Sequence, residues 1–251
     1  MLERAAAHGL GVPVRVFDAR TGRRRAVGWL VLLGLAVLVL APAAALYLRS
    51  GRFWIGLLAA SLAVAYLALA VRIALRAGLR ERMPVVYLFG GGLVYAGTGR
   101  AVAYHWDDLS AVTVAGVRTG ARGRTRWRFT VTAEGGRDLP LDDRLPDVRR
   151  LGEVVVAEVT ARVVPRLAAA VRGGETVRLG TFEVGPEGVA KDGQQVPWPA
   201  VRHVSMMNGL VRVETIDGGR ELTALAAQTP NAVALVELCA RLAAVRDRPV
   251  H

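Results

Sequence analysis

Two apolar stretches decide the fold of this chain: AVGWLVLLGLAVLVLAPAAALYL (residues 26–48) and FWIGLLAASLAVAYLALAVRIAL (residues 53–75), joined by Arg49-Ser50-Gly51-Arg52. As a helix the first stretch is about 34 Å long, which exceeds a hydrocarbon core about 30 Å thick. The second contains one charge, Arg72, close enough to its end for the side chain to reach the headgroups. Because the connection is so short, the sequence predicts an antiparallel transmembrane hairpin.

Arginine placement predicts the orientation of this hairpin. Arginines cluster at one end of the two spans, at Arg15, Arg20, Arg23, Arg24 and Arg25 before the first and at Arg72, Arg76, Arg80 and Arg82 around the end of the second. The turn between the spans holds only two, so the positive-inside rule places both termini in the cytoplasm of a multi-pass plasma-membrane protein. The same arginines account for much of the net charge of +12. The alternative, a cleavable secretory signal over residues 1–45, is disfavoured by the length of the run and by the second span directly behind it.

An internal repeat follows the spans. Its first copy begins with YLFGGGLVYAGTGRAVAYHWDDLSAVTV (87–114) and its second with TFEVGPEGVAKDGQQVPWPAVRHVSM (181–206). Both read as short strands separated by glycine turns, with a tryptophan before the last strand. Each copy then ends in an amphipathic helix, predicted over Asp147 to about Val171 and over Asn231 to about Val245.

Strand alternation followed by one helix predicts an α+β protein with two small β-barrels, each closed by its C-terminal helix. The predicted organisation is a cytoplasmic basic segment at 1–25, the transmembrane hairpin at 26–82, and two domains at 83–172 and 173–248. Trp106 and Trp198 occupy equivalent places in the two copies, which indicates core or barrel-rim residues.

Each copy has a Gly-Gly turn, at Gly135-Gly136 in the first and Gly218-Gly219 in the second. The first copy carries about nine extra residues between its tryptophan, Trp106, and this turn. They fall in VRTGARGRTRWR (117–128), whose arginines are Arg118, Arg122, Arg124, Arg126 and Arg128, grouped around Trp127. This segment, called the arginine hairpin below, has three interpretations. It is a solvated turn, a contact with anionic phospholipid of the inner leaflet, or a nucleic-acid contact with Trp127 as a stacking platform. The last is disfavoured because the tethered domains offer no other aromatic surface, so no nucleic acid is expected.

Candidate catalytic and metal-binding groups are sparse. Adjacent carboxylates in Asp107-Asp108 and Asp142-Asp143 point to opposite sides of a strand, so turn and helix-cap roles are favoured over metal binding. His105 and His203 have no nucleophile at useful spacing, and Gly90-Gly91-Gly92 runs from strand to strand as a turn, unlike a phosphate loop. The single cysteine, Cys239, lies among helical apolar positions. The sequence therefore predicts no catalytic residue, no metal and no cofactor.

The copies resemble bacterial pleckstrin-homology-like (PH-like) domains in having antiparallel strands, a Trp-Asp-Asp-Leu or Trp-Pro-Ala-Val step and a final helix. Nearly the whole chain is similar to an uncharacterised family of actinobacterial membrane proteins. The matching signatures are Val16-Phe17, YLFGGGLV (87–94), HWDDL (105–109), Gly174-Glu175, LGTF (179–182), VPW (196–198) and Thr229-Pro230-Asn231. The resemblance implies PH-like barrels but no activity. The chain lacks the Lys-rich first hairpin of phosphoinositide binders, so lipid specificity is not implied.

The expected function is that of a non-enzymatic, membrane-anchored binding or scaffolding module that contacts anionic lipid or a protein partner. Two alternatives remain open. One is an accessory subunit of a membrane transport or envelope assembly, favoured by small residues on both spans that permit close helix packing. The other is an enzyme with a site between the two domains, which would require acidic and histidine side chains that converge there.

Overall fold

The structure, a computed structural model, describes residues 8–18, 20–77, 84–96, 101–118, 125–219 and 221–246. It is an α+β fold with two N-terminal apolar helices, a series of antiparallel sheets and a C-terminal helix. The predicted fold class is confirmed at this level.

The two apolar runs form helices α1 (Arg20–Arg49) and α2 (Phe53–Ala77). Their apolar segments, Ala26–Arg49 and Phe53–Leu75, are 24 and 23 residues long, enough to cross a membrane. Most of their side chains are exposed, as lipid-facing residues are. Trp29 lies near the start of α1 and Tyr47 near its end, about 27 Å apart along the axis, which matches the two aromatic belts of a bilayer.

Helices α1 and α2 pack closely where small residues meet larger ones. A Cβ on Gly56 would lie 2.6 Å from Leu48 Cγ and 3.0 Å from Leu48 N, so a larger residue there would require Leu48 to move. Ala44 and Ala63 are buried in the same hairpin. Gly28 and Gly34, in contrast, have nothing within 4 Å of a built Cβ. The small residues therefore divide into a set that packs within the hairpin and a set that faces outward.

The first repeat consists of two sheets and a helix. Its strands are β1 (Pro13–Asp18), β2 (Val85–Phe89), β3 (Gly92–Ala96) and β4 (Val102–His105) in one sheet, and β5 (Leu109–Arg118), β6 (Thr125–Ala133) and β7 (Arg137–Leu141) in the other. Helix α3 (Val148–Arg172) follows. A short 3-10 turn that begins at Trp106 carries the chain from the first sheet to the second.

The second repeat has the same order of elements. Its strands are β8 (Val177–Leu179), β9 (Phe182–Val184), β10 (Gly188–Lys191) and β11 (Gln194–Pro197) in one sheet, and β12 (Val201–Met207), β13 (Leu210–Thr215) and β14 (Leu222–Leu225) in the other. Helix α4 (Ala232–Arg246) ends it. The tryptophans match in detail, because the Trp106 and Trp198 indole N–H groups donate to the carbonyls of Gly90 and Gly185, each at 3.0 Å. Both indoles are buried, so the predicted core position is confirmed.

Strand β1 precedes the membrane hairpin in sequence, yet it is hydrogen-bonded to β2, which follows the hairpin. Residues 1–25 were expected to form a separate basic segment, and the first domain to begin at 83. Part of that segment, Pro13–Asp18, is instead the first strand of the first repeat, equivalent to β8. The segment before α1 and the segment after α2 are therefore joined in one sheet.

The prediction of closed barrels is wrong. Each repeat has a four-stranded and a three-stranded sheet with separate edges. The four-stranded sheets consist of strands of three to six residues. In each repeat a short 3-10 turn that begins at the tryptophan, Trp106 or Trp198, separates the four-stranded sheet from the three-stranded one. The core fills the space between sheets and helix instead, as Phe182, Val211 and Leu235 do in the second repeat.

Candidate functional site

The arginine hairpin stands on the paired strands β5 and β6. Gly116 lies opposite Trp127, Val117 opposite Arg126, and Ala115 opposite Arg128. Because successive side chains alternate between the faces of a strand, Arg126 and Arg128 share one face and Trp127 occupies the other. Both arginines are exposed.

The Trp127 face is packed against helix α3. The indole stacks on Phe129 with ring centroids 6.1 Å apart and an interplanar angle of 18°. The Arg149 guanidinium carbon lies 5.6 Å from the Trp127 ring centroid, a cation–π contact. A Cβ on Gly116 would lie 3.2 Å from Trp127 Cζ3, so this glycine leaves room for the ring. Trp127 therefore holds the hairpin on α3, and its ring already has partners.

Asp143 fixes the base of the hairpin on β6. Its Oδ1 accepts the Trp127 backbone N–H at 3.0 Å, and its Oδ2 lies 3.8 Å from Arg126 Nε. The Arg126 side chain remains 78% exposed. An exposed pair at this distance contributes little to stability, so the guanidinium remains available to an external anion.

The five predicted arginines are only partly described. Arg126 and Arg128 lie on one exposed face, and Arg118 is the last residue of β5, paired with Thr125. Arg122 and Arg124 lie outside the described residues. Sequence reasoning missed Arg149 and assigned Asp143 only a turn or helix-cap role, because their contacts with the hairpin depend on long-range packing.

The acidic pairs have structural partners. Asp107 Oδ1 lies 3.5 Å from Arg162 Nε and 3.4 Å from Arg166 Nη2 on α3. Asp108 accepts the His105 backbone N–H, and Asp142 accepts that of Arg144. These contacts confirm the predicted turn roles of Asp108 and Asp142.

Asp147, the predicted first residue of the first long helix, precedes α3 directly and makes no capping hydrogen bond. Its carboxylate instead lies 3.2 Å from the Arg15 guanidinium of β1, and its backbone has a left-handed φ of 51°. Among the described residues, no group of three or more His, Cys, Asp and Glu could hold a metal ion.

Among the described residues of the repeats, Tyr95 and Cys239 have shifted pKa values. Burial raises the pKa of Tyr95, and the nearby Asp142 carboxylate raises it further, so the phenol stays protonated at neutral pH. Burial raises the pKa of the Cys239 thiol to about 12. Both shifts follow from packing and favour the neutral form, which is the inactive form of a nucleophile.

We expect Cys239 to be inert in the folded protein. With a pKa of about 12, only about one thiol in ten thousand is ionised at pH 8, and the thiolate is the reactive species. Maleimide should therefore label urea-unfolded protein fully and leave the folded protein unlabelled, as read by intact mass. Equal labelling rates in the two states would contradict the burial of this thiol.

Asn231 joins the two repeats. Its Nδ2 donates to the Ser110 carbonyl, and its Oδ1 accepts the Val112 N–H, both at 2.9 Å. Its own backbone N–H donates to the Val112 carbonyl at 2.9 Å. Ser110 lies at an irregularity in the β5–β6 register, which exposes these backbone groups at the strand edge. One buried side chain at the start of α4 therefore fixes the second repeat to the first.

The comparisons with known proteins identify the family without an activity. No curated protein and no solved structure matches the chain. One family model matches residues 1–244, which is nearly the entire sequence. The chain therefore belongs to the family of unknown function DUF6585.

Proposed function

We propose that this protein is a membrane-anchored, non-catalytic binding or scaffolding module of the plasma membrane. In this proposal α1 and α2 cross the bilayer and two tandem PH-like domains lie in the cytoplasm together with both termini. The arginine hairpin of the first domain contacts anionic phospholipid headgroups.

The observation that carries this proposal is the exposed pair Arg126 and Arg128 on a hairpin whose basic extension is present in only the first of the two repeats. On the opposite face of β6, Trp127 packs against Phe129 and Arg149. This packing supports the strand, so Arg126 and Arg128 project from it in one direction. The repeats themselves support the PH-like assignment, since each has four strands, three strands and a final helix in the same order. Two apolar helices of sufficient length support the anchor.

The expected contribution of the hairpin is electrostatic. Each basic residue near an anionic leaflet contributes about 1 kcal/mol. Arg126→Glu with Arg128→Glu should therefore lower the docked-to-undocked ratio of the domain by about 30-fold, since 1.4 kcal/mol corresponds to a factor of ten. The effect should weaken as salt rises, because exposed charges are screened over about 10 Å at 0.1 M.

The test uses a spin label on the full chain in nanodiscs. Val117 is 62% exposed and lies opposite Arg126, so a label at Val117→Cys reports the position of the hairpin. We expect protection from a water-soluble nickel chelate in nanodiscs that contain phosphatidylglycerol and no protection in pure phosphatidylcholine. The double glutamate variant should lose the protection, whereas the charge-matched control Arg178→Glu with Arg241→Glu should retain it. Equal protection in both lipids would refute the lipid contact.

A second candidate function is an accessory subunit of a larger membrane assembly. The observation in its favour is that Gly28 and Gly34 of α1 face outward with nothing within 4 Å, which permits another helix to approach closely. Affinity purification of the tagged chain in mild detergent, with mass spectrometry of proteins and lipids, tests it. A stoichiometric protein partner that is lost on Gly28→Leu with Gly34→Leu would favour this function over the lipid-contacting one.

A further inference from the structure

Strand β1 presents an apolar face to its surroundings. Val14 is 70% exposed and Val16 is 49% exposed, and Val12, just before the strand, is 79% exposed. Val14 and Val16 are spaced two apart within β1, so they project from the same side of the strand, and Val12 lies in the bend that precedes it. In addition, β1 is the first strand of its sheet and therefore lies at an edge. An apolar face on an edge strand promotes aggregation unless something covers it.

The opposite face of β1 is fixed to the first repeat. Phe17 is buried, and the Arg15 guanidinium lies 5.1 Å from the Phe17 ring centroid. The same guanidinium pairs with Asp147 at the start of α3. The strand therefore cannot rotate to bury its valines in the core.

The second repeat shows that this apolar face is not required by the fold. On β8, the strand equivalent to β1, Arg178 pairs with Glu183 of β9 on the outer face of the sheet. Farther along that face Ala190 lies opposite Gln195. In the first repeat the residues equivalent to Ala190 and Gln195 are Val94 and Ala103, which contact a small apolar cluster with Leu10. The outer face is thus polar in one repeat and apolar in the other.

The two repeats differ in their distance along the chain from the apolar helices. Strand β1 ends at Asp18, α1 begins at Arg20, and the apolar segment begins at Ala26. Six residues of helix rise about 9 Å, and the headgroup layer on each side of a bilayer is about 5–8 Å thick. A connection of this length can span the headgroup layer if α1 crosses a bilayer, whereas β8 is separated from α2 in sequence by the entire first repeat.

We propose that the valine face of β1 (Val12, Val14 and Val16) inserts at the boundary between headgroups and acyl chains and seats the first repeat on the bilayer. The occupant of this face is lipid, and the contact is apolar, so it does not depend on anionic headgroups. The proposal requires only that α1 and α2 cross a membrane. It is independent of the arginine hairpin.

The experiment places single spin labels in the full chain, in a Cys239→Ala background and in nanodiscs of pure phosphatidylcholine. Labels at Val14→Cys and Val16→Cys probe the face. Leu38→Cys, which is 69% exposed within the apolar segment, is the lipid control, and Arg178→Cys, on the polar sister sheet, is the water control. Power saturation gives the ratio of collision with oxygen, which concentrates in lipid, to collision with a nickel chelate, which stays in water.

We expect the ratio at positions 14 and 16 to exceed that at position 178 several-fold and to lie closer to the value at position 38. A ratio equal to that at position 178 would overturn the proposal. Exclusion of both reagents, with spin–spin broadening in fully labelled protein, would also overturn it, because a second copy would then cover the face. Because these nanodiscs contain only neutral lipid, the valine-face test does not depend on the arginine-hairpin test. The valine contact can fail while the arginine contact holds, and the reverse. A water-like ratio at position 38 would refute the membrane anchor itself and with it both proposals.

Discussion

Asn231→Gly is expected to lower the free energy of unfolding of the tandem repeats by about 3 kcal/mol, because buried backbone groups that lose a partner cost about 1–3 kcal/mol each. The groups affected are the Val112 N–H and the Ser110 carbonyl, each 2.9 Å from the Asn231 amide. Glycine retains the backbone N–H that bonds to Val112. It also adopts the left-handed φ of 57° at this position without strain. The substitution therefore removes the side-chain bonds and leaves the backbone unchanged.

The matched control is Asn208→Gly. Asn208 has a similar left-handed φ of 52°, but it lies exposed in the turn between β12 and β13. Its replacement should change the free energy of unfolding by less than about 0.5 kcal/mol.

The measurement is thermal unfolding of the full chain in detergent, followed by tryptophan fluorescence. For a unit of this size, the 3 kcal/mol expected for Asn231→Gly corresponds to a Tm lower by about 6–12 °C. Hydrogen exchange should also accelerate at the outer edge of β5. Equal shifts for the two variants would show that Asn231 does not join the repeats.

The junction has a functional consequence if the repeats bind a surface. The first repeat carries both the arginine hairpin and the valine face, and Asn231 transmits its orientation to the second repeat through β5. Helices α3 and α4 also contact each other, so the connection is broader than one side chain. A scaffold of this kind presents the second repeat at a defined angle, which a flexible linker would not do.

The elements with strong local signals could be predicted from the sequence. The two apolar helices follow from two uninterrupted apolar runs, and the two long helices of the repeats follow from apolar spacing after Pro146 and Pro230. The structure places these helices within one residue of the predicted starts. The tryptophan turns were visible because they recur in both copies.

The features that depend on long-range contacts could not be predicted. Strand β1 is only six residues long and pairs with a strand on the far side of the membrane hairpin, so its pattern alone gives no partner. Asn231 was visible as the start of a helix, but its bonds reach a strand 119 positions earlier. Barrel closure was inferred from alternation, which fixes the faces of strands and says nothing about whether sheet edges meet.

Gly188→Ala is expected to be the other strongly destabilising change, because its Cβ would lie 2.1 Å from the Val196 carbonyl oxygen and 2.8 Å from Pro197 Cα. Both obstructing atoms belong to the backbone of β11, which is paired with β10 at this point. They cannot move without loss of strand pairing. Overpacking typically costs about 1–3 kcal/mol, and a backbone obstacle places this variant at about 3 kcal/mol or above.

The internal repeat provides an independent test of the same argument. A Cβ on Gly92 would lie 2.1 Å from the Tyr104 carbonyl oxygen and 2.9 Å from His105 Cα, so Gly92→Ala should be destabilised to a similar degree. Gly219→Ala is the control, since nothing lies within 4 Å of its built Cβ and its φ is not in the left-handed region. Urea unfolding of the three variants measures the difference. If Gly188→Ala and Gly92→Ala are no less stable than Gly219→Ala, the strand ahead of each tryptophan does not approach its neighbour this closely.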